Sequence, residues 1–158
     1  MVIVAKAVQL IERYKPSVFF FDGTGVGGPV GDRIRQLGHN VIEVQFGSRS
    51  PDSRFANMRA YMYGRMREWF IAGGAIGYND MVLEQDLTNV EYTHNSKDQI
   101  LLEKKEHMRS RGLASPDDGD ALAMTFSYPV ALMAGSRDGV TATEDWDPLK
   151  AEPGDVWH

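Results

Sequence analysis

The sequence predicts an α/β fold in which a helix comes first and short strands alternate with further helices. Apolar residues recur at helical spacing over residues 2–14. The fully apolar run at residues 17–21 is typical of a buried parallel strand, and a second strand is predicted at residues 41–46 after a short helix. Because a strand–helix–strand unit of this length favours parallel pairing, the order of elements indicates a layered α/β architecture.

The remaining elements follow from spacing and from glycine and proline. A glycine-rich segment leads into a short helix that Gly38 ends, and Gly73 and Gly74 end a long helix whose methionines we expect in the core. The predicted elements after the first strand are a helix over 32–37, a helix over 54–71, a short helix over 80–87, a hairpin of strands 90–94 and 99–103, a helical turn over 106–109, and a last helix that starts at Ser115 and is limited by Pro129.

Length and composition restrict the class of protein. The 158 residues, 42% of them hydrophobic, suit one packed domain, which we place at residues 1–135. The chain has no cysteine, so a disulfide framework, a thiolate zinc site and a cysteine nucleophile are excluded, and a metal must be held by carboxylates or histidine. No apolar run approaches the roughly 20 residues of a membrane span, so we expect no membrane partner.

Charge is distributed unevenly along the chain. Residues 136–158 carry two basic and six acidic residues, out of a net charge of −5 for the whole chain, and we predict that they form an acidic, disordered tail. The rest is nearly neutral, which does not support a generic DNA-coating protein but allows local basic surfaces. Two segments are locally basic, at 33–67 and at 104–111, and ordinary solvated faces are the alternative for both.

The first candidate site is Asp22, which follows the predicted buried strand and precedes a glycine-rich segment. Ligands of open α/β sheets bind at the carboxyl ends of strands, although Asp-Gly is also a common turn pair. The glycines at 23, 25 and 28, with Glu43 20 residues after the first of them, also match a dinucleotide-binding pattern. A carboxylate directly before the first glycine disfavours a pyrophosphate there, so dinucleotide binding is the second interpretation.

The second candidate site is SPDDGDALA at residues 115–123. Ser115 is predicted to be the N-cap of the last helix, and Asp118 completes a start that resembles a capping box. That explains the acids of the first turn but not Asp120, which shares a face with Asp117 and runs into apolar residues. Two carboxylates pressed toward a sheet require compensation, for which a hard cation such as Mg²⁺ is suited.

Together these segments resemble the ribonuclease-H-like nucleases, and more narrowly the C-terminal nuclease domain of phage terminase large subunits. The resemblance covers about residues 1–130, and N-x-R at 57–59 in the long helix also fits. The segments that carry it are DGTGVGG at 22–28, LEKKEHMRSRG at 102–112 and SPDDGDALA at 115–123.

The resemblance implies a metal-dependent endonuclease that cuts concatemeric double-stranded DNA with two Mg²⁺ or Mn²⁺ ions. It implies that Asp22 and Asp120 are metal ligands and that Asp117 is a ligand or an acid beside them. Lys105 would approach the scissile phosphate or orient an acid. An ordinary exposed lysine is the alternative for Lys105, and Lys104 takes its place if the register shifts by one.

The resemblance also implies partners and a location. These are the terminase ATPase domain, the small terminase subunit and the portal, in the host cytoplasm of a phage or prophage. No G-x-x-x-x-G-K-[ST] occurs, so the ATPase part is not expected in this sequence.

Family members begin with a three-stranded meander whose first strand carries another catalytic Asp. Here the only acid before Asp22 is Glu12. We therefore expect an N-terminally truncated ribonuclease-H-like fold with an added β-hairpin, and weak or no activity of the chain alone. A non-catalytic docking module of the same shape is the third interpretation.

Overall fold

The structure is a computed structural model that describes residues 2–24, 27–77 and 79–130. The predicted acidic tail and the predicted domain end at residue 135 lie outside the described residues. The elements within these ranges are α1 Val2–Tyr14, β1 Phe19–Asp22, α2 Gly27–Gln36, β2 Val41–Val44, α3 Met58–Ile71, α4 Met81–Asn89, β3 Tyr92–His94, β4 Ile100–Leu102, α5 Lys105–Ser110 and α6 Asp117–Met124.

The central layer is the parallel pair of β1 and β2. Phe19 pairs with Val41 at one end, and Asp22 pairs with Val44 at the other. Because side chains alternate between the faces of a strand, each face of this pair presents every second residue. The parallel pairing predicted from the strand–helix–strand spacing is confirmed.

One face of the strand pair is covered by α1 and α2. Phe21 of β1 and Val41 of β2 are buried there with Ala7 of α1 and Ile34 of α2. Phe21 is the residue directly before Asp22, so this small core holds the carboxyl end of β1 from the face covered by α1 and α2.

The other face is covered by α3 and α6. Val44 of β2 packs with three methionines of α3 and with Ala123 of α6, which is fully buried. Phe20 of β1 packs against the same cluster. The prediction that the methionines are core residues is confirmed, because thioether side chains fill the irregular space between a helix and a sheet. The three buried methionines are Met58, Met62 and Met66.

The predicted hairpin is present as the antiparallel strands β3 and β4, paired Tyr92 with Leu102 and His94 with Ile100. It is attached to the chain that leads into α3. The Ala56 amide donates to the Ile100 carbonyl at 2.9 Å, and the Ile100 amide donates to the Arg54 carbonyl at 2.8 Å. The hairpin base therefore sits beside the start of α3.

The starts of α2 and α3 differ from prediction. α3 begins at Met58 rather than at residue 54, because the Asn57 side chain accepts a hydrogen bond from the Ala60 amide at 2.9 Å and caps the helix. α2 begins at Gly27, five residues earlier than predicted, so the helix includes much of the glycine-rich segment. No helix in the described part of the chain is long and apolar enough to cross a membrane.

The packing of α2 against β1 predicts a strong effect of Gly31→Ala. A Cβ at Gly31 would lie 2.0 Å from a ring carbon of Phe21. We expect a loss of about 1–3 kcal/mol in the free energy of unfolding, as is typical of overpacking, despite the better helix propensity of alanine. Urea denaturation measures it.

The matched control is Gly47→Ala, where a Cβ would meet open space among the described residues. We expect a change within about 0.5 kcal/mol there. A Gly31→Ala variant as stable as the parent would contradict the close approach of α2 to Phe21.

Candidate functional site

Asp22 is the last residue of β1, as predicted, and its carboxylate lies in a tight turn. Oδ1 accepts hydrogen bonds from the Thr24 amide at 3.0 Å and from the Thr24 hydroxyl at 2.8 Å. This is the side-chain turn that aspartate favours before glycine. The turn-forming role is therefore real, and it also fixes the direction of the carboxylate.

The register of the strand pair assigns Asp22 to the face covered by α3 and α6. Phe20 and Asp22 are two residues apart and share a face, and Phe20 packs against the cluster of α3 and α6. The strand partner of Asp22 is Val44, which belongs to the same buried cluster as Ala123 of α6. Since Ala123 lies one turn after Asp120 on α6, Asp22 and Asp120 lie on the same side of the sheet.

Asp120 is a buried carboxylate surrounded by three donors. Only 6% of its side chain is exposed. Oδ1 accepts from Arg59 Nε and from the Tyr63 hydroxyl, each at 3.0 Å, and Oδ2 lies 2.8 Å from Lys105 Nζ. Two cations thus compensate one buried anion, as low-polarity surroundings require.

Arg59 is the central cation of this network. It lies in the first turn of α3, with 11% of its side chain exposed. Besides Asp120, it donates from Nη1 to the Glu103 carbonyl at 3.0 Å, and its guanidinium lies over the Tyr63 ring at 5.4 Å from the centroid. Arg59 therefore joins α3, the end of the hairpin and α6.

Burial and the Asp120 charge both raise the pKa of Tyr63 far above its ordinary value. The phenol consequently stays protonated and acts as a fixed donor to the Asp120 carboxylate. The sequence interpretation did not select Tyr63. The signal that could have found it is its position four residues after Arg59, which places both side chains on one face of a helix.

Lys105 and Asp117 complete the cluster at its solvent side. Lys105 Nζ lies 3.3 Å from Asp117 Oδ1, and the two side chains are 36% and 77% exposed. Burial alone would lower the pKa of Lys105, but contacts with Asp120 and Asp117 outweigh it and raise the pKa. A hydrogen bond from Ser115, helped by Lys105, lowers the pKa of Asp117.

The start of α6 differs from the predicted capping box. The N-cap position is Pro116, and no side chain at that position caps the helix. The Ser115 hydroxyl instead donates to Asp117 Oδ1 at 2.7 Å. The prediction that Ser115 caps the helix with Asp118 was wrong. Asp86 of α4 already accepts hydrogen bonds from the Asp118 and Gly119 amides of the first turn.

The structure brings Lys105, Asp117 and Asp120 into direct contact. The Asp22 carboxylate hydrogen-bonds within its own turn, on the same side of the sheet. Within residues 2–24, 27–77 and 79–130, no three acidic or histidine side chains are close enough together to hold a metal ion. The predicted metal role of Asp22, Asp117 and Asp120 therefore stays a prediction.

About half of the basic residues in the two basic segments form ion pairs among the described residues. The pairs in the described chain include Arg35 with Asp32, Arg54 with Asp52, Arg65 with Glu68, and Arg111 with Glu91 and Glu103. Near the cluster, Lys104, His107 and Arg109 of the α5 region are exposed. Exposed cationic side chains suited to a phosphate backbone thus lie beside Lys105, and Arg67 of α3 is exposed as well.

The dinucleotide interpretation conflicts with the glycine turn. A Cβ at Gly23 would lie 2.0 Å from a carboxylate oxygen of Glu43, so that side chain lies directly over the turn. Glu43 also accepts a hydrogen bond from Gln45 at 2.7 Å. An acid in this position occupies the space in which a pyrophosphate would approach the backbone, and its negative charge repels the pyrophosphate.

Comparison of the structure with solved proteins gives the fold class. The chain has the ribonuclease-H-like α/β fold of a terminase nuclease domain, in agreement with the resemblance seen in the sequence. No protein-family model and no curated protein sequence matches the chain.

The particular match is to the nuclease domain of the large terminase subunit gp2 of bacterial virus Sf6. A lysine-to-alanine mutant of that domain with manganese aligns at a TM-score of 0.62 and 21% identity, covering 80% of this chain and 72% of that one. A structure of the mutant with calcium gives a TM-score of 0.62, with 80% and 71% covered. The domain without the mutation gives 0.60 at 22% identity, with 80% and 72% covered.

The buried ion pair predicts a large effect of Arg59→Met. Removing the guanidinium takes away one of the two cations at buried Asp120, so we expect a loss of about 3 kcal/mol in the free energy of unfolding at neutral pH, the low end for a broken buried pair because Lys105 stays in contact. Adding Asp120→Leu removes the stranded charge, and the double variant should be more stable than Arg59→Met alone. Chemical denaturation of the parent, of Arg59→Met and of the double variant measures these free energies.

Arg65→Met is the control, because its pair with Glu68 lies on the same helix but is more than half exposed at the arginine. We expect less than about 1 kcal/mol there. Equal losses for Arg59→Met and Arg65→Met would contradict a buried pair.

The hydrogen bond to Asp117 predicts a pKa change. Ser115→Ala should raise the pKa of Asp117 toward its ordinary value, since that hydroxyl is the largest cause of its lowering. A lowered carboxyl pKa stabilises the fold above about pH 4, and this stabilisation is lost as the pH falls through the folded value. The variant should therefore lose stability at neutral pH and show a weaker acid dependence.

Carbon NMR of the Asp117 carboxyl measures the pKa directly. Ser110→Ala is the control, because that hydroxyl donates to the His107 carbonyl instead. An Asp117 pKa that Ser115→Ala leaves in place would show that the bond is absent in solution.

Proposed function

We propose that this chain is a divalent-metal-dependent DNA endonuclease domain of the terminase type. The observation that carries the proposal is the buried Asp120 carboxylate, on the same side of the sheet as Asp22, within the fold of a terminase nuclease domain. Carboxylate oxygens are the ligands that hard cations select, and this side of the sheet offers a buried one from α6 and one from the end of β1.

The residues of the site fit Mg²⁺ or Mn²⁺ by their charge and by their ligand atoms. Two cations compensate buried Asp120. One of them is Lys105, whose side chain is 36% exposed and whose Nζ lies 2.8 Å from Asp120 Oδ2. A metal ion would take over this compensating role. Mg²⁺ is usually held by one or two carboxylates together with waters and substrate phosphates, so a cage of three acids is not required.

In this proposal Asp22 and Asp120 hold the metal, and Asp117 is a further ligand or a neighbouring acid. Ions held there, two of them in the mechanism that the resemblance implies, would supply activation of a water and stabilisation of the leaving oxygen. Manganese and calcium occur in the matched gp2 structures, which supports a divalent ion in this fold.

The other side chains of the cluster orient Asp120 and neutralise charge. Arg59 and Tyr63 both hold Oδ1, which leaves Oδ2 as the oxygen that faces Lys105. Lys105, once moved from Oδ2, would be a cation that can approach the reacting phosphate and stabilise the charge that develops there. If it stays on Oδ2, it would orient the Asp120 carboxylate.

Double-stranded DNA is the proposed substrate, and contacts to it would be mainly to phosphates. Lys104, His107 and Arg109 are exposed next to Lys105. Phosphate contacts fix position and carry little sequence information, so cutting would be largely sequence-tolerant. The proposed setting is a phage terminase, with the ATPase domain, the small subunit and the portal as partners.

Metal binding is the first test, because it does not depend on the turnover of the chain alone. Mn²⁺ should raise the melting temperature of the protein, since a ligand of the folded state stabilises it by about 2.7 kcal/mol at a hundred times its Kd. The increase should be lost in Asp120→Asn and Asp22→Asn. It should be kept in Asp32→Asn, an exposed acid of α2 that pairs with Arg35.

Nicking of supercoiled plasmid with Mn²⁺ tests the activity itself. From the chain alone we expect at most weak cleavage, which EDTA abolishes and which Asp120→Asn reduces by at least about 100-fold, since a metal lowers the activation barrier by several kcal/mol. Asp32→Asn is again the control. A melting temperature that Mn²⁺ leaves unchanged would favour the non-catalytic docking module, and cleavage unaffected by Asp120→Asn would place the activity elsewhere.

A further inference from the structure

The first turn of α6 is capped by a residue that lies 32 and 33 positions before the two amides it accepts from. Asp86 of α4 accepts hydrogen bonds at one carboxylate oxygen, Oδ2, from the Asp118 amide at 2.9 Å and from the Gly119 amide at 3.1 Å. These amides are the second and third of the helix, the two that an N-cap side chain normally serves. Pro116, at the N-cap position, supplies no side-chain bond.

Helices α4 and α6 approach each other closely at Gly119 of α6. A Cβ there would lie 3.1 Å from the Asp86 Cβ and 3.2 Å from the Tyr63 hydroxyl oxygen. That hydroxyl is the one that donates to Asp120. Asp86, the start of α6 and the donor to Asp120 therefore form one packed group, in which a side chain at residue 119 would force a shift.

We propose that Asp86 is a positioning residue for the candidate metal centre, because it caps α6 from α4 and so fixes where Asp117 and Asp120 lie. This inference rests on the proposed function and adds a residue outside the set that the sequence selected. Asp86 touches neither of those two carboxylates. It acts through the backbone of the two residues between them.

The length of α6 makes this cap important. The helix has eight residues, and the amides of its first three residues have no partner within the helix, whereas the Asp120 amide donates to the Pro116 carbonyl at 2.8 Å. Asp86 provides partners for two of them. An acid at a helix N-terminus is also favoured by the helix dipole, which offsets the repulsion from the three acids of the first turn.

The same three acids suggest a competing explanation, in which Asp86 acts only by adding negative charge near the metal. Asp86→Asn separates the two, because an amide oxygen can still accept both backbone hydrogen bonds but carries no charge. Asp86→Ala removes both the bonds and the charge.

The matched control is Asp80→Ala. Asp80 lies at the start of the same helix and makes the same kind of bond, accepting from the Leu83 amide at 3.0 Å, but its bond stays within α4. A general loss of α4 structure would appear in this variant, whereas loss of the contact with α6 would not.

The experiment combines amide hydrogen exchange by NMR with calorimetric titration of Mn²⁺ into the full chain. In Asp86→Ala we expect faster exchange at the Asp118 and Gly119 amides and Mn²⁺ affinity weaker by about tenfold, the low end for residues that orient ligands. Asp86→Asn should restore slow exchange and keep the affinity within about threefold. Asp80→Ala should match the parent in both measurements.

The outcomes decide between the explanations. Unchanged affinity in Asp86→Ala, with faster exchange, overturns the positioning role. Equal losses of affinity in Asp86→Asn and Asp86→Ala also overturn it, in favour of a charge effect. If the parent chain binds no Mn²⁺, the proposed function fails and the positioning role fails with it. The titration of the parent therefore distinguishes that failure from the other two.

Discussion

The buried contact between Arg59 and Asp120 is the constraint on which the candidate site depends. A carboxylate and a guanidinium withdrawn from water each lose several kcal/mol of hydration, which they regain only with good geometry and further hydrogen bonds. Here Tyr63 and Lys105 supply additional contacts to the carboxylate, and the Glu103 carbonyl supplies one to the guanidinium. Such a network tolerates few alternative arrangements, so it specifies one relative placement of its parts.

The parts that it joins are far apart along the chain. Arg59 and Asp120 are separated by 61 residues, and the hairpin end at Glu103 lies between them. Apolar packing brings α3 and α6 onto the same face of the strand pair, but three methionines and an alanine form a contact with little directional preference. The polar contacts at the end of this core fix the rotation of α6 about its own axis and its position along that axis. Asp86 adds a further attachment, from α4, at the start of the helix.

The sequence predicted the parts of the site that depend on local pattern. A short apolar run ending in aspartate was enough to place Asp22 at the carboxyl end of a parallel strand. Asp120 was selected because helix capping did not explain an acid on an apolar face, and that face is buried. The spacing of four residues between Met58, Met62 and Met66, close to one helical turn, likewise predicted the packed side of α3.

The contacts that the sequence missed are those between distant segments. Arg59 was one arginine among several, and nothing local distinguished it from Arg65, which remains exposed. Ser115 fits an N-cap by every local rule, yet Asp86 accepts from the amides that it would have served. Whether Asp86 or Ser115 accepts from these amides depends on the packing of α4 against α6, which the sequence of either helix alone does not predict.

The most direct measurement of the central claim is a crystal of the full chain soaked in Mn²⁺, with anomalous diffraction recorded at the manganese edge. A peak within about 2.5 Å of carboxylate oxygens of both Asp22 and Asp120 is the predicted result, with Lys105 moved away from Oδ2. A soaked crystal with no peak at Asp120, and with Lys105 still bound to it, would contradict the account.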